Sequence, residues 1–408
     1  MNKEQINTII SDIELSLRDD FAKEEQIALS NQQKVLYAFR KNQIALRHFA
    51  PTEGYGYDDI GRDTLCKLYA DVFKTESAIF SPNIVSGTHA LTLAMFGVLR
   101  PGDIFFSASD DPYDTLHDVI MSNDNNGSLK DFGIAYEKIS LINNHVDICA
   151  LKAYLQTHKP KLVYLQRSRG YALRNAFSIK EIEEVCKTTK EISPSSIIMV
   201  DNCYGEFIDQ IEPTQVGADL CVGSLIKNIG GGIAPTGGYI VGKKEYIDLI
   251  ANRLTAPSIG MEVGSYSGGY RLFYQGLFMA PHVVLQAKKS AMLFSGVFNK
   301  LGYEVLPKIH EHPNDIITSI KFNEKNKLIE FCQAIQYCSP IDSHVVPFPW
   351  DMPGYTDQVI MAAGCFVGGA SIELSCDSPI KPPYVAYLQG ALTYEHAKLA
   401  LMQILEKY

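Results

Sequence analysis

Lys227 closes a short apolar segment, Val222-Gly223-Ser224-Leu225-Ile226-Lys227-Asn228, and a glycine-rich run from Ile229 to Val241 follows at once. A lysine in that setting, beside glycines that let the backbone bend and approach a ligand closely, is where an amine that forms a Schiff base with an aldehyde would sit. Upstream, Ile197-Ile198-Met199-Val200 leads into Asp201, which reads as a buried parallel strand with a carboxylate at its carboxyl end. A lysine for an aldehyde and a strand-end aspartate for a pyridine nitrogen are the two protein groups that pyridoxal phosphate most needs, so these residues point to an enzyme built on that cofactor.

Further candidates fall at other element junctions. Between Asn83 and Met95 the small-residue turn Ser86-Gly87-Thr88-His89 opens an apolar helix; free N–H groups, hydroxyls and a glycine there make a phosphate seat, although a plain turn capped by Ser86 would read the same. Tyr113 follows the strand Ile104 to Ala108, where its ring could lie on a flat heterocycle or simply cap the core edge. The strand Lys161 to Leu165 ends in Gln166-Arg167-Ser168-Arg169, and either arginine could bind a substrate carboxylate or the cofactor phosphate, or be a surface arginine in a loop. Residues 50–63, where glycines alternate with Tyr55 and Tyr57 ahead of Arg62, read as a surface loop able to bind something.

The elements that must position these groups alternate. Residues 3–48 carry apolar positions at helical spacing (Ile6, Ile9, Ile10, Ile13, Leu17) and predict a helical arm. Buried strands then alternate with helices through residues 64–245, including a helix opened by the capping box Ser178 to Glu181, which is the pattern of a parallel sheet covered on both faces. In such a sheet the ligand lies at the carboxyl ends of the strands, where residues 86–89, Tyr113, 166–169, Asp201 and 224–227 all fall. A long mostly helical stretch (266–297) and a smaller mixed unit follow, with short strands near Val305 and from Asp315 to Phe322, a helix from Asn326 to Gln336, a loop through Pro347, Pro349 and Pro353, a strand pair within 359–373 and a last helix from Tyr394 to Glu406. The expected division is 1–63 for the arm and an interface loop, 64–265 for the large cofactor-binding domain, and 266–408 for the linking helix and small C-terminal domain.

Composition narrows the function classes. The chain has 408 residues, 46% hydrophobic and 20% charged, with a net charge of -9, which suits a soluble protein of about two or three domains and gives no basic surface for nucleic acid or anionic membrane. The nine cysteines contain no CxxC pair and sit in apolar segments, which predicts reduced thiols in a cytoplasmic protein and no zinc site. The polar start Met1-Asn2-Lys3-Glu4-Gln5 gives no expectation of a signal peptide, and no apolar run approaches the roughly 18 residues of a membrane span. A nucleotide-binding module ranks last, because Gly230 to Gly232 lacks a following Lys-Ser or Lys-Thr and no GxGxxG follows the first strand.

Several segments together resemble a known family. Val200-Asp201-Asn202-Cys203-Tyr204-Gly205-Glu206-Phe207, Gly223 to Asn228 with its glycine tail, Glu53-Gly54-Tyr55-Gly56-Tyr57, and Ser371-Ile372-Glu373-Leu374-Ser375 with Pro382-Pro383-Tyr384 resemble the methionine gamma-lyase-like family. Its members are also labelled aluminium resistance proteins or cystathionine beta-lyases, and they form a branch of the fold type I pyridoxal-phosphate enzymes related to the Cys/Met-metabolism group. The aluminium label describes a phenotype and implies no metal site. The resemblance implies an α/β fold of that type, a mostly parallel seven-stranded sheet in a large domain with a smaller α+β C-terminal domain. It implies a homotetramer of dimers with active sites at the dimer interface, and a carbon–sulfur lyase acting on cystathionine, cysteine or methionine by beta- or gamma-elimination. Aminotransferase or aldolase chemistry, or a non-catalytic protein on the same scaffold, are the alternatives.

Carried over by position, the resemblance makes Lys227 the cofactor lysine and catalytic base, Asp201 the partner of the pyridine nitrogen, and Ser86, Gly87, Thr88 and Ser224 the phosphate site. Tyr113 becomes the stacked, catalytic tyrosine, and Tyr57 and Arg62 become phosphate ligands given to the neighbouring subunit. This chain departs from the Cys/Met pattern at Thr88, which stands for a methionine, at Asp114 and Thr115, which stand for glycines, and in the spacing of Tyr57 and Arg62. It also has no arginine around Val367 to Glu373, so that Arg167, Arg169 or Lys381 is left to bind the substrate carboxylate.

Overall fold

The computed structural model describes residues 1–123, 126–352 and 354–407. In chain order the helices and strands are α1 (Lys3–Ser16), α2 (Arg18–Lys41), α3 (Ile60–Phe73), β1 (Ser77–Ser81), α4 (Gly87–Val98), β2 (Ile104–Ser107), α5 (Asp114–Met121), β3 (Ala135–Lys138), α6 (Ile148–Thr157) and β4 (Leu162–Gln166). There follow α7 (Ile179–Ile192), β5 (Ile197–Asp201), β6 (Leu220–Ser224), β7 (Gly238–Gly242), α8 (Lys244–Leu254), α9 (Arg271–Lys300), β8 (Glu304–Leu306), β9 (Ile317–Lys321), α10 (Lys325–Tyr337), β10 (Val359–Ala362), β11 (Ser375–Pro379), β12 (Val385–Gln389) and α11 (Tyr394–Leu405).

The seven strands β1 to β7 form one sheet in the order β1-β7-β6-β5-β4-β2-β3. Strands β2 to β6 run parallel, and β7 runs antiparallel to both β6 and β1. Both faces are covered because alternate residues of each strand meet different helices. In β5, Ile197 and Met199 pack on one side with α4 and α8, whereas Ile198 and Val200 pack on the other with α6 and α7. In β7, Ile240 joins the first group while Tyr239 and Val241 join α2, α3 and α9. That two-sided burial is why the strands read as unbroken apolar runs. The register pairs Gln166 with Asp201 and Asp201 with Val222, so the carboxyl ends of β4, β5 and β6 finish along one edge of the sheet.

Strands β8 to β12 form a five-stranded antiparallel sheet in the order β10-β11-β12-β9-β8. One face, carrying Ile320, Cys376, Ala386 and Leu388, packs on α9, α10, α11 and the apolar stripe Ile6, Ile10 and Ile13 of α1. The N-terminal arm is therefore integral to this smaller core, while α2 lies along α9. The strand pair expected within residues 359–373 resolves differently. Strand β10 pairs with β11 at 375–379, and residues 363–374 form an intervening loop whose backbone N–H groups at Phe366 and Val367 donate to the Glu373 carboxylate at 2.9 Å each. The apolar run there feeds a loop that is buried over 370–374 while Phe366 stays exposed. Pro353 of the expected proline-rich loop lies outside the described residues.

The glycines after Lys227 turn out to serve packing. A Cβ on Gly230 would lie 1.8 Å from the Leu225 carbonyl oxygen, and one on Gly231 2.6 Å from the Gly276 oxygen of α9, so the loop and helix touch backbone to backbone. A Gly230→Ala variant is accordingly expected to lose about 3 kcal/mol or more of stability in urea titration, because neither clashing group is a movable side chain.

Candidate active site

The strand-end edge of the large sheet and the outer face of the small sheet enclose a cavity of about 480 Å³. That volume suits a small-molecule site. Ser86, Gly87, Thr88, Tyr113, Asp201, Ser224 and Lys227 all line it, together with Arg169 and Lys381.

Asp201 ends β5 and is 4% exposed. Its Oδ1 accepts the Cys203 N–H at 3.1 Å and its Oδ2 accepts the Tyr164 O–H at 3.5 Å. Burial raises its carboxyl above the ordinary range, while the Lys227 charge and Cys203 pull it back down. Lys227 follows β6 and extends its Nζ over the Tyr204 ring, 4.2 Å from the centroid. Burial works against the ammonium, yet the acidic groups around it, Cys203, Tyr204, Asp201 and Tyr113, raise it well above the usual lysine value. The amine is therefore favoured in its charged form, over an aromatic face and under the influence of a nearby carboxylate.

The turn at 86–88 is a donor cradle. Ser86 caps α4, its Oγ accepting the His89 N–H at 3.0 Å. The N–H groups of Gly87 and Thr88, in the first helical turn, have no acceptor among the described residues. A Cβ on Gly87 would stand 3.3 Å from Cys203 Sγ and 3.4 Å from Ser224 Cβ, so a side chain there would crowd this wall of the cavity. The Thr88 hydroxyl pairs with the Tyr113 hydroxyl at 2.9 Å, which fixes the tyrosine rather than leaving the threonine free for a phosphate. Gln166 Oε1 accepts the Tyr113 N–H at 2.8 Å, and burial lifts the Tyr113 phenol well above its usual pKa, with Asp201 adding to the rise. Unsatisfied N–H groups and hydroxyls at one end, a buried carboxylate at another and an amine between them fit pyridoxal phosphate: residues 86–88 and Ser224 for its phosphate, Asp201 for its ring nitrogen, Lys227 for its aldehyde.

The arginine and loop expectations divide. Arg167 is fully buried and does not line the cavity; its guanidinium donates to Asn202 Oδ1 at 3.0 Å, the Gly205 oxygen at 2.8 Å and Asp209 Oδ2 at 2.7 Å. It braces the turn after Asp201 and is no longer a candidate for the substrate carboxylate. Arg169 does line the cavity, but donates to both oxygens of Asp315, to Ser319 Oγ and to the Leu306 oxygen. Lys381 is held by a single surface ion pair with Asp357 at 3.1 Å. Tyr57 is 63% exposed, and Arg62 ties its own loop down through the Gly56 and Gly264 oxygens; neither lines the cavity of its own chain.

Other lining residues escaped sequence reasoning. Tyr204 holds a positive φ of 69°, a conformation that sequence does not announce. Gln166 falls at the strand end with residues 166–169, with no role of its own legible there. Asp377 lies in β11, whose sequence Ser375-Cys376-Asp377-Ser378-Pro379 is polar enough that one more acid gives no signal. Behind the lysine, Glu206 packs against Gly223 and accepts the Tyr239 O–H at 2.8 Å. Burial pushes its carboxyl up to about 8, with the Glu212 charge contributing. A raised carboxyl means that the folded protein holds a proton the unfolded chain has lost, so stability should fall as pH rises from the ordinary glutamate range towards 8, by about 1.4 kcal/mol per pH unit for this group. Urea titrations at pH 5.5 and 7.5 should show that loss, and Glu206→Gln should flatten it.

The comparisons agree with this geometry. The Bacillus subtilis protein YnbB is 50% identical over 380 residues, covering 92% of this chain and 90% of its own. A solved structure from Clostridium novyi NT, described as a carbon-sulfur lyase involved in aluminum resistance, superposes with a TM-score of 0.95 at 49% identity, covering 99% of this chain and 96% of that one. An L-methionine gamma-lyase of Treponema denticola is more distant, 27% identical over 52% of this chain and 50% of its own. The profile of the methionine gamma-lyase family matches residues 6–408, and the chain belongs to that family of pyridoxal-phosphate-dependent carbon–sulfur lyases.

Proposed function

We propose that this protein eliminates a thiol from a sulfur-containing amino acid of the cystathionine, cysteine or methionine type, by beta- or gamma-elimination, leaving ammonia and a 2-oxo acid. The observation that carries the reading is the convergence of Lys227, Asp201, Ser224 and the 86–88 turn on one cavity with room left against the small sheet. Bound pyridoxal phosphate supplies an electron sink for the pair left when Cα loses its proton. Lys227 Nζ takes that proton, since it is the amine nearest the reacting carbon once the substrate has replaced it on the cofactor. Asp201 holds positive charge on the ring nitrogen, and that cation would in turn keep its buried carboxylate ionised. Tyr113 steadies the ring, and its phenol, kept protonated by burial, can hand a proton to the departing sulfur.

Of the cations in the lining, Lys381 has donors free for the substrate carboxylate and Arg169 has nearly none. Lys381→Ala is expected to raise KM about tenfold with kcat little changed, the signature of lost ground-state binding in steady-state kinetics. The phosphate end of the cavity has neutral donors only, which supports a second copy of the chain contributing Tyr57 and Arg62 there, in a cytoplasmic dimer or tetramer with its cysteines reduced. Incubation of the holoenzyme with cystathionine, cysteine and methionine, with assay of 2-oxo acid and free thiol or sulfide, tests the reaction. Amino transfer to an added oxo acid without thiol release would overturn it.

A further inference from the structure

The outer face of the small sheet carries a feature that the elimination chemistry does not use. Asp377 of β11 lies opposite Tyr387 of β12 in the strand register, so the two side chains share the face turned away from the small core. Both line the cavity, as do Tyr171, Tyr204, Tyr355 and Gln389. Gln389 Nε2 donates to Asp377 Oδ2 at 2.9 Å. The Tyr171 ring lies 5.9 Å from Tyr355 and 5.2 Å from Tyr387, and the Asp377 charge acts on Tyr171, Tyr204 and Tyr355.

A carboxylate sharing a cavity wall with several tyrosines is a setting that suits a cation. The other carboxylates in the lining have other duties: Asp201 receives the cofactor nitrogen, Asp111 is paired with Lys138 at 2.5 Å, and Asp114 faces Lys381. For Asp377 no cation stands within ion-pair distance among the described residues; the nearest influence is the Lys227 amine across the cavity. Burial pushes its carboxyl up to about 6, with the Gln389 hydrogen bond and then the Lys227 charge pulling the other way. The same wall already accepts an ammonium group, since Lys227 Nζ rests on Tyr204.

We infer that Asp377 and the tyrosines beside it form a subsite for an ammonium group at the far end of the substrate side chain, so that the substrate class is an amino-acid thioether whose leaving thiol carries an amine. This rests on the lyase reading above and names the substrate within it. A neutral side chain such as that of methionine would leave the carboxylate desolvated with the Gln389 amide but no counter-charge beside it, which costs binding.

The test uses the holoenzyme with two amino acids that have no sulfur to lose, L-lysine and its isostere L-2-aminoheptanoate, titrated by calorimetry and by the shift of the visible cofactor band. Lysine should bind about tenfold more tightly or better, the worth of one charge-assisted contact. In Asp377→Asn the preference should shrink to near unity with the band of the free holoenzyme unchanged, and Tyr355→Leu should reduce it in part. Equal affinities in the wild type, or a preference that survives both variants, overturns the subsite. Were Asp377 to greet only the α-ammonium, both ligands would weaken together and the ratio would stay, which also overturns it. Thiol release from S-(2-aminoethyl)-L-cysteine against S-propyl-L-cysteine separates the two readings: a lysine preference without thiol release from either compound leaves the subsite standing and removes the lyase assignment.

Discussion

Lys227→Ala protein mixed with pyridoxal phosphate should show no band of lysine-bound cofactor near the visible edge, should incorporate no label on borohydride reduction, and should turn over at least about 1000-fold more slowly. Two losses combine. The covalent tether disappears, although the neutral cradle of Ser86, Gly87, Thr88 and Ser224 remains, and the base for the Cα proton disappears with it. Among the described lining residues Lys381 is the other amine, and it is half exposed beside Asp357 in the role proposed for the substrate carboxylate. The substitution removes a charge from beside Asp201 and Tyr204, so the fold should survive and the effect should read as chemistry, not as unfolding. Far-ultraviolet circular dichroism beside the absorption spectrum checks this, and a variant that keeps band and turnover refutes the role of the lysine.

Asp201→Asn should keep the cofactor and lose the rate. The phosphate cradle and Lys227 are untouched, so the visible band should persist, while kcat falls by about 100- to 1000-fold, the usual effect of removing one preorganised charge from the place where charge develops. Asparagine is nearly isosteric: its oxygen can still accept the Cys203 N–H, and its amide nitrogen can donate to the Tyr164 hydroxyl oxygen where the aspartate accepted from it, so the main change is the lost charge beside the ring nitrogen. The fall should appear in kcat and kcat/KM alike, because the interaction strengthens only as the Cα proton leaves. Unchanged steady-state kinetics would show that the carboxylate faces something other than a ring nitrogen.

Much of this architecture could be read from local pattern. Runs such as 197–201 and 162–166 are apolar without alternation because both of their faces are covered, and the capping box at Ser178 announces α7 directly. Strand-end placement then followed from the topology of any such sheet, which is why Lys227, Asp201, Tyr113 and the 86–88 turn could be assembled in advance. The arginines were misjudged for a physical reason. A guanidinium that binds a substrate and one that braces a loop have the same local sequence, and only the presence of Asp209 and Asn202 around Arg167, and of Asp315 around Arg169, tells them apart. The glycines after Lys227 do bend the backbone, but Gly231 also answers to a helix, α9, that arrives some forty residues later in the chain.

By itself, the order of residues determined the class of fold, the placement of a lysine and an aspartate at neighbouring strand ends, and the family, since each depends on periodicity or on a short contiguous motif. Tertiary structure alone decided the substrate side of the cavity, where Asp377, Tyr171, Tyr204, Tyr355, Tyr387 and Gln389 meet from separate loops and from a second sheet. Their meeting depends on how two sheets are set against each other, and that is settled in a core to which α1 and α9 contribute from far along the chain.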